Sequence, residues 1–215
     1  KESSYQGSRL DIPFHVKTIY TNFILDYLQE IGDVDCIVEL GCGYGRNLFE
    51  IFDHGGQKTA YFGGELTDSG RALGDTLSLF TKDQNITFQK FDHTIPNLSW
   101  LPSCNRIFFY TVHSIEQVHK IGLNFFRCLI DSAPHVIGMH LEPFGFQVNP
   151  DLGPITKKHN DFFKRNKWNI NFYDVLLQAK EEGLIDIDYV ETELFFPEDP
   201  GNPTSIAIWR KKIKG

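Results

Sequence analysis

The sequence V-E-L-G-C-G-Y-G, residues 38–45, decides the fold of this chain. A short β-prone stretch, residues 35–40, leads directly into three glycines that alternate with Cys42 and Tyr44, and residues 46–52 have a helix-compatible composition. Glycine lets the backbone turn sharply and approach a ligand closely, and the amides that open a helix attract anionic groups. The segment therefore predicts a strand, a glycine turn and a helix, with a ligand at the turn.

Strand and helix patterns alternate on both sides of this turn. Apolar residues recur at helical spacing over residues 14–31, which predicts a helix within an N-terminal cap of residues 1–33. The strand runs are apolar on both faces, as in a parallel sheet covered by helices on two sides, so the class is α/β. Further strands are predicted at residues 59–66, 86–91, 106–112 and 136–141, and further helices at residues 69–80 and 114–132.

The pattern changes in the C-terminal third. Residues 143–170 are polar and aromatic, with three prolines and two glycines, which predicts a long irregular excursion that serves as a substrate lid. A helix is predicted at residues 172–182 and strands at 186–196 and 204–211. The turn between these strands is short, so they must be antiparallel. We expect the whole chain, residues 1–215, to be a single domain.

Composition limits the class of partner. The 215 residues carry a formal net charge of -7, so a small molecule is a better partner than nucleic acid. Cys36, Cys42, Cys104 and Cys128 form no CxxC pair and match no zinc spacing, which predicts thiols of a reducing compartment, the cytoplasm. No apolar run approaches the ~20 residues that cross a bilayer, so no membrane partner is expected. The sequence opens at Lys1 without an initiator Met, which leaves an upstream segment open.

Residues 38–45 resemble the first motif of class I methyltransferases that use S-adenosylmethionine (SAM), in which an acidic residue precedes GxGxG. The order of the predicted elements resembles that family too. The resemblance implies a Rossmann-like sheet of seven mostly parallel strands, with an antiparallel C-terminal hairpin and helices on both faces. It also implies an enzyme with SAM as cofactor and S-adenosylhomocysteine (SAH) as product. A nicotinamide reductase is disfavoured, because its fingerprint needs glycine where Arg46 stands.

The resemblance further implies which residues bind SAM. Glu39 would orient the amino-acid end, Glu65 at the end of the second strand would accept the ribose hydroxyls, and Asp92 would accept from the adenine amine. Arg9 or Arg46 could pair with the SAM carboxylate. The implied cofactor site comprises Glu39, Gly41, Cys42, Gly43, Gly45, Glu65, Asp92, His93 and Thr111.

Two histidines follow neighbouring strands in the class I strand order, and we expect both near the methyl group of SAM. An O-methyltransferase benefits from a base tuned near neutrality, so we nominate His113 first and His140 second as the catalytic base. Glu116 and Glu142 could hold an imidazole in the needed tautomer. The same four residues could instead bind a divalent metal, but neither spacing is a recognised metal motif, and we expect no metal.

The first hypothesis is methylation of a hydroxyl on a small polar acceptor, a sugar or nucleotide-linked sugar. The run from His140 to Gln147 resembles that of sugar methyltransferases, whereas the fourth strand lacks the Asn/Asp-Pro-Pro-Tyr/Phe sequence typical of enzymes that methylate bases or glutamine amides. The alternatives are N-methylation of a small amine and a noncatalytic module with the same fold. Within the excursion, polar and aromatic residues suit a ring-shaped polar acceptor: Gln147, His159, Asn160, Arg165 and Trp168.

Overall fold

The computed structural model describes residues 3–5, 8–10, 15–81, 85–149, 153–197 and 203–213, and the side chains of residues 19–81, 85–149, 157–194 and 203–213. These residues form one sheet with helices on both faces. The strands are β1 (Ser3–Tyr5), β2 (Ser8–Leu10), β3 (Cys36–Leu40), β4 (Ala60–Glu65), β5 (Ile86–Lys90), β6 (Arg106–Val112), β7 (His135–Glu142), β8 (Ile185–Pro197) and β9 (Thr204–Lys211). The helices are α1 (His15–Ile31), α2 (Arg46–Asp53), α3 (Asp68–Ser78), α4 (Asn124–Ile130), α5 (Gly145–Val148), α6 (Gly153–Asn166) and α7 (Phe172–Glu181), and Ile115–Gln117 form a 3-10 turn.

The strand order in the sheet is β2-β1-β8-β9-β7-β6-β3-β4-β5. Strands β3 to β7 pair in parallel, whereas β9 lies antiparallel between β7 and β8. The predicted α/β class, the parallel sheet and the antiparallel C-terminal hairpin are confirmed. The seven predicted strands are β3 to β9, and in the described part of the chain two further strands, β1 and β2, extend the sheet beside β8. These two strands are three residues long and show no apolar alternation, so the sequence did not predict them.

Alternating side chains of the buried strands feed two separate cores. On β3, Cys36, Val38 and Leu40 pack with α4 and α7 on one face, whereas Ile37 packs with α1 and α2 on the other. All five residues of β3 are buried, as expected for a central parallel strand covered on both sides. The carboxyl ends of the parallel strands β3 to β7 lie together, and we call this end of the sheet the carboxyl edge. In open α/β sheets, ligands bind at the carboxyl edge.

The helix predicted over residues 114–132 is interrupted. The chain forms the 3-10 turn and α4, and residues 118–123 between them are not helical. Two asparagine side chains bond the backbone of this segment. Asn171 accepts from the Ile121 amide at 3.1 Å and donates to the Ile121 carbonyl at 2.8 Å, and Asn169 donates to the Val118 carbonyl at 3.1 Å. These bonds replace the helical ones, and a local sequence pattern cannot show them.

The prediction of an irregular excursion at residues 143–170 is wrong, because its described part contains α5 and α6. Pro154 stands at the second position of α6, where proline removes no helical hydrogen bond. Gly153 and Pro154 therefore mark the start of a helix, although the same residue types are typical of loops. The helices of the described residues include none that is both long and apolar enough to cross a membrane.

Candidate active site

The glycine turn after β3 requires glycine for two independent reasons. Gly41, Gly43 and Gly45 have φ values of 75°, 58° and 83°, which L side chains rarely adopt. A Cβ on Gly41 would also lie 2.3 Å from the Ser114 Cβ, and one on Gly45 would lie 2.4 Å from the Phe88 Cζ. Gly45 is the N-cap of α2 and has no side chain that could accept from the first amides of the helix. Those amides are therefore available to a ligand at the glycine turn.

Glu39 lies beneath the glycine turn and is only 1% exposed. Its Oε1 accepts from Asn47 Nδ2 at 2.5 Å, and its Oε2 accepts from the Tyr110 hydroxyl at 3.3 Å. Burial raises the pKa of Glu39 to about 8, although both hydrogen bonds oppose that rise. The predicted acidic residue is thus placed at the turn, with both carboxyl oxygens bonded to neighbouring side chains.

Glu65, at the end of β4, is directly bonded to the glycine turn. Its Oε2 accepts from the Gly43 amide at 3.0 Å, while its Oε1 accepts from the Thr67 amide at 2.8 Å and the Thr67 hydroxyl at 2.6 Å. The structure therefore brings the Glu65 carboxylate and the glycine turn together. Two carboxylate oxygens at this place suit a pair of vicinal hydroxyls.

Asp92 and His93 follow β5 and have different environments. Asp92 Oδ1 accepts from the Thr94 amide at 2.7 Å and the Thr94 hydroxyl at 2.6 Å, and these bonds lower the pKa of Asp92. The His93 ring is buried against Phe91 and Phe125, at centroid distances of 5.3 and 5.7 Å.

Among the described residues, neither ring nitrogen of His93 has a hydrogen-bond partner. The Nε2 atom lies 2.9 Å from the place where a Cβ on Gly41 would stand, so the ring borders the glycine turn. Burial lowers the pKa of His93 to about 4, which keeps the imidazole neutral, with one donor and one acceptor nitrogen. Buried polar atoms in folded proteins usually have partners, so these two point to a bound ligand.

Cys42 and Thr111 point into the protein. Cys42 is buried, its Sγ lies 2.6 Å from the place of a Cβ on Gly63, and burial raises its pKa. Thr111 is fully buried, and its Oγ1 lies 3.0 Å from His140 Nδ1. The Cys42 thiol also donates to the Gly43 carbonyl of the glycine turn, at 3.5 Å, whereas the Thr111 hydroxyl contacts His140 instead.

His140 is a core residue, and its nomination as a second base is wrong. It is fully buried between Phe172 and Trp209, at centroid distances of 5.0 and 6.1 Å. Trp209 Nε1 can only donate, and it does so to His140 Nε2 at 2.9 Å, so Nδ1 carries the proton and donates to Thr111. Burial lowers the pKa of His140 to about 3. The residue lies within β7, on the face that packs against α4 and α7.

Glu142 holds the 3-10 turn rather than a histidine. Its Oε1 accepts from the Ser114 and Ile115 amides at 3.0 and 3.2 Å, and its Oε2 accepts from the Glu116 amide at 3.3 Å. Burial raises the pKa of Glu142. Because His140 faces the core and Glu142 binds backbone, the four-residue metal alternative has no geometric support. In the described part of the chain, no three His, Cys, Asp or Glu side chains are gathered for an ion.

His113 stands just beyond β6 with a φ of 50°, a strained conformation for a histidine. Its Nδ1 lies 3.1 Å from Glu116 Oε2, the partner that the sequence predicted. Its Nε2 lies 2.7 Å from Thr204 Oγ1 and 3.3 Å from the Tyr20 hydroxyl, and those two hydroxyls are 2.6 Å apart. As a carboxylate, Glu116 accepts, so Nδ1 carries the proton and the Nε2 lone pair faces the hydroxyls.

Tyr20 and Thr204 were not among the residues predicted for the site. Thr204 begins β9, which pairs antiparallel with β7. The predicted hairpin therefore indicated that Thr204 would lie at the carboxyl edge, where β7 ends. Tyr20 lies on α1, where it reads as one more apolar residue of the helix, and no local signal distinguishes it. Burial raises the pKa of Tyr20 to about 12, so its hydroxyl keeps its proton.

The chain shares its fold with solved methyltransferases. It matches a SAM-dependent methyltransferase from Aquifex aeolicus over 94% of both chains, at 15% identity and a TM-score of 0.57. It matches a geranyl diphosphate C-methyltransferase from Streptomyces coelicolor over 93% of this chain and 81% of that chain, at 12% identity and a TM-score of 0.62. The small RNA methyltransferase HEN1 is matched over 92% of this chain and 25% of that chain, at 14% identity and a TM-score of 0.59. No protein-family model and no curated protein sequence matches the chain. The chain therefore has the class I methyltransferase fold.

Proposed function

We propose that this chain is a SAM-dependent methyltransferase that methylates a hydroxyl of a small polar acceptor, a sugar being the class we favour. One observation carries the cofactor assignment. Three features meet at the carboxyl edge of the sheet: the glycine turn, the Glu65 carboxylate bonded to Gly43, and the His93 nitrogens beside Gly41, which no described residue bonds. A bound nucleoside with a charged amino-acid end would satisfy all three.

The donor set fits SAM group by group. The ribose hydroxyls suit Glu65, and the amino-acid end suits the amides that open α2, with Glu39 beneath them. The adenine edge has both donors and acceptors and suits Asp92 together with the neutral ring of His93. SAM, when bound, supplies an activated methyl group to the acceptor.

His113 is the group that we assign to proton removal. A neutral hydroxyl is a poor nucleophile, so its proton must pass to a base as its oxygen is methylated. The lone pair on His113 Nε2 already faces a hydroxyl, that of Thr204, at 2.7 Å. Glu116 on Nδ1 fixes the tautomer and stabilises the imidazolium that forms when Nε2 takes the proton. An amine acceptor would need this base less, so N-methylation ranks second.

The net charge of -7 disfavours nucleic acid as the acceptor. The four cysteines are free thiols, which suits a reducing compartment such as the cytoplasm.

Calorimetric titration with SAH tests the cofactor assignment directly. We expect saturable binding of one SAH per chain, with NAD as the control ligand that gives no heat of binding. Saturable NAD binding, or no SAH binding at high micromolar concentration, would contradict the proposal. A Glu65→Ala variant should weaken SAH binding about tenfold or more, because it removes the acceptor of both ribose hydroxyls.

A further inference from the structure

The backbone of His113 is held in a strained conformation by hydrogen bonds on both sides. Its φ of 50° lies in the left-handed region, which a histidine seldom adopts. Its amide donates to the Leu141 carbonyl at 3.0 Å, and its carbonyl accepts from Gln117 Nε2 at 3.3 Å. Strain of this kind persists only where the surrounding structure enforces it, and it is concentrated at functional sites. The backbone therefore fixes the place from which the imidazole projects.

The imidazole itself is bonded through both nitrogens, by side chains from different elements. Glu116 of the 3-10 turn contacts Nδ1 at 3.1 Å, and Thr204 at the start of β9 contacts Nε2 at 2.7 Å. The Tyr20 ring of α1 lies beside the imidazole at a centroid distance of 5.9 Å, and its hydroxyl is 2.6 Å from Thr204 Oγ1. The orientation of the imidazole thus depends on three elements that pack together beyond the end of β6.

The number of protons fixes the direction of these bonds. With Nδ1 protonated, Nε2 can only accept, and Thr204 at 2.7 Å is a better-placed donor than Tyr20 at 3.3 Å. A hydroxyl has one proton, so Thr204 must accept at its contact with Tyr20. Tyr20 therefore donates to Thr204, and its pKa of about 12 keeps that proton in place. The chain of bonds runs from Tyr20 through Thr204 to His113 Nε2.

Core packing alone does not account for the two hydroxyls. Thr204 is fully buried and Tyr20 is 7% exposed. Valine and phenylalanine have nearly the same shapes as threonine and tyrosine, and replacing both partners of a buried hydrogen bond by apolar groups of the same shape is nearly neutral for stability. What valine and phenylalanine could not provide is the hydrogen bond to the base.

We propose that Tyr20 and Thr204 are positioning residues for His113, with Thr204 donating to Nε2 and Tyr20 orienting the Thr204 hydroxyl. This inference rests on the proposed function and adds α1 and β9 to the elements on which the base depends. In this role both residues act through the imidazole and not on the acceptor. The loss of either hydroxyl should therefore change the environment of Nε2 and the rate of methylation, and leave cofactor binding unchanged.

The first test is nuclear magnetic resonance of the full chain labelled with ¹⁵N-histidine, which needs no acceptor. Spectra are recorded at about pH 9, well above the usual pKa of histidine, and His113→Gln identifies the His113 resonances. A ring nitrogen whose lone pair loses a hydrogen bond shifts downfield. We expect a small downfield shift of Nε2 in Tyr20→Phe, a larger one in Thr204→Val, and the largest in the double variant, where the Tyr20 hydroxyl at 3.3 Å cannot replace that of Thr204. Thr204→Ser, which keeps the hydroxyl, should match wild type.

Tyr27→Phe is the matched control for Tyr20→Phe. Tyr27 lies about two turns further along α1, burial also raises its pKa to about 12, and its ring packs on Phe108 at a centroid distance of 6.0 Å. We expect no shift of the Nε2 resonance in this variant. An unchanged Nε2 resonance in Thr204→Val, or a shift in Tyr27→Phe equal to that in Tyr20→Phe, overturns the inference.

The second test measures turnover with the low-molecular-weight fraction of an extract from the cells that make the protein, which we call the acceptor fraction. Release of SAH is followed over a range of amounts of this fraction. Tyr20→Phe and Thr204→Val should lower the maximal rate about tenfold to 100-fold, because a misplaced base loses part of its effect. SAH affinity and the amount of fraction that gives half the maximal rate should stay within about twofold of wild type. Thr204→Ser and Tyr27→Phe should retain most of the wild-type rate, and thermal unfolding shows that each variant is folded.

An undiminished maximal rate in Thr204→Val overturns the inference, and so does a loss of rate that Thr204→Ser shares. A wild type that binds no SAH, or that releases none with the acceptor fraction, contradicts the proposed function instead. The order of the Nε2 shifts is still measurable in that case, so the two failures are distinguishable.

Discussion

The two halves of the carboxyl edge contrast in how they are built. On the cofactor side, the glycine turn, Glu65 and His93 each lie within a few residues of a strand end, and their positions follow from the strand order. On the acceptor side, His113 meets Tyr20 and Thr204, which are 93 and 91 residues away along the chain. The cofactor side is therefore specified locally, whereas the acceptor side is specified by the packing of α1, β6 and β9.

This difference decides what the sequence can predict. A local motif such as residues 38–45 predicts both its own conformation and the strand ends that surround it. At the acceptor side, His140 and His113 look equivalent in the sequence, yet one is enclosed by the core and the other faces two hydroxyls. Changes on the cofactor side should therefore disrupt folding and SAH binding, and changes on the acceptor side should affect turnover first.

The largest effect should come from Gly41→Ala. The new Cβ would overlap Ser114 while the backbone stays at a φ of 75°, so we expect a loss of about 2–5 kcal/mol in the free energy of unfolding and no measurable SAH binding. Urea denaturation and calorimetry measure the two effects. The matched control is Gly183→Ala, at a φ of 68° with open space around its Cβ, which should cost only about 1 kcal/mol and leave SAH affinity unchanged. Equal behaviour of the two variants would show that the close approach at Gly41 is unimportant.

The second prediction concerns the acceptor side. His113→Gln should lower turnover about 100-fold to 10,000-fold, the range for loss of a general base, while SAH affinity stays within about twofold of wild type. Release of SAH in the presence of the acceptor fraction measures turnover. His54→Gln is the control, because His54 is exposed and is the C-cap of α2, at the end of that helix opposite the glycine turn. Undiminished turnover in His113→Gln would remove the assigned role.

The contrast also explains how much of the molecule the sequence could predict. Strands β6 and β9 were predicted with their observed bounds, because apolar runs and turn residues delimit them. The Glu116 contact to His113 followed from helical spacing of three residues. The break before α4 was not predicted, because it depends on hydrogen bonds from Asn169 and Asn171, which are distant in the sequence. The helices α5 and α6 were not predicted, because the prolines and glycines of residues 143–170 are also typical of loops. Side-chain direction at His140 depends on strand pleating within the finished sheet, and the residue pattern alone left it undecided.

The third prediction is a pH dependence that arises from the core histidines. The folded-state pKa of His140 is about 3, below the unfolded value of 6.5, so the unfolded state binds more protons as the pH falls. Stability should thus decrease from pH 7 to pH 5, by about 1–2 kcal/mol for this residue, and His93 and His159 act in the same direction. Glu39 acts in the opposite direction, since its pKa rises to about 8. In His140→Gln, urea unfolding should show a shallower pH slope between pH 5 and pH 7. An unchanged slope would mean that His140 takes up a proton in the folded protein as readily as in the unfolded one.

The smallest effect should come from Arg46→Ala, and it sharpens the cofactor side. Arg46 stands at the start of α2 but pairs with Glu50, at 2.6 Å between Nε and Oε1, on the surface of the helix. Arg46 and Glu50 are both partly buried, and a helical ion pair of this spacing contributes about 0.3–0.5 kcal/mol, so the free energy of unfolding should change by about that much. SAH affinity should change less than threefold if the amides of α2 are what meet the carboxylate. A loss of tenfold or more in calorimetric titration would show instead that the guanidinium leaves Glu50 to bind the ligand, and Arg46→Lys, which keeps the charge without the planar fork, would then recover only part of the affinity.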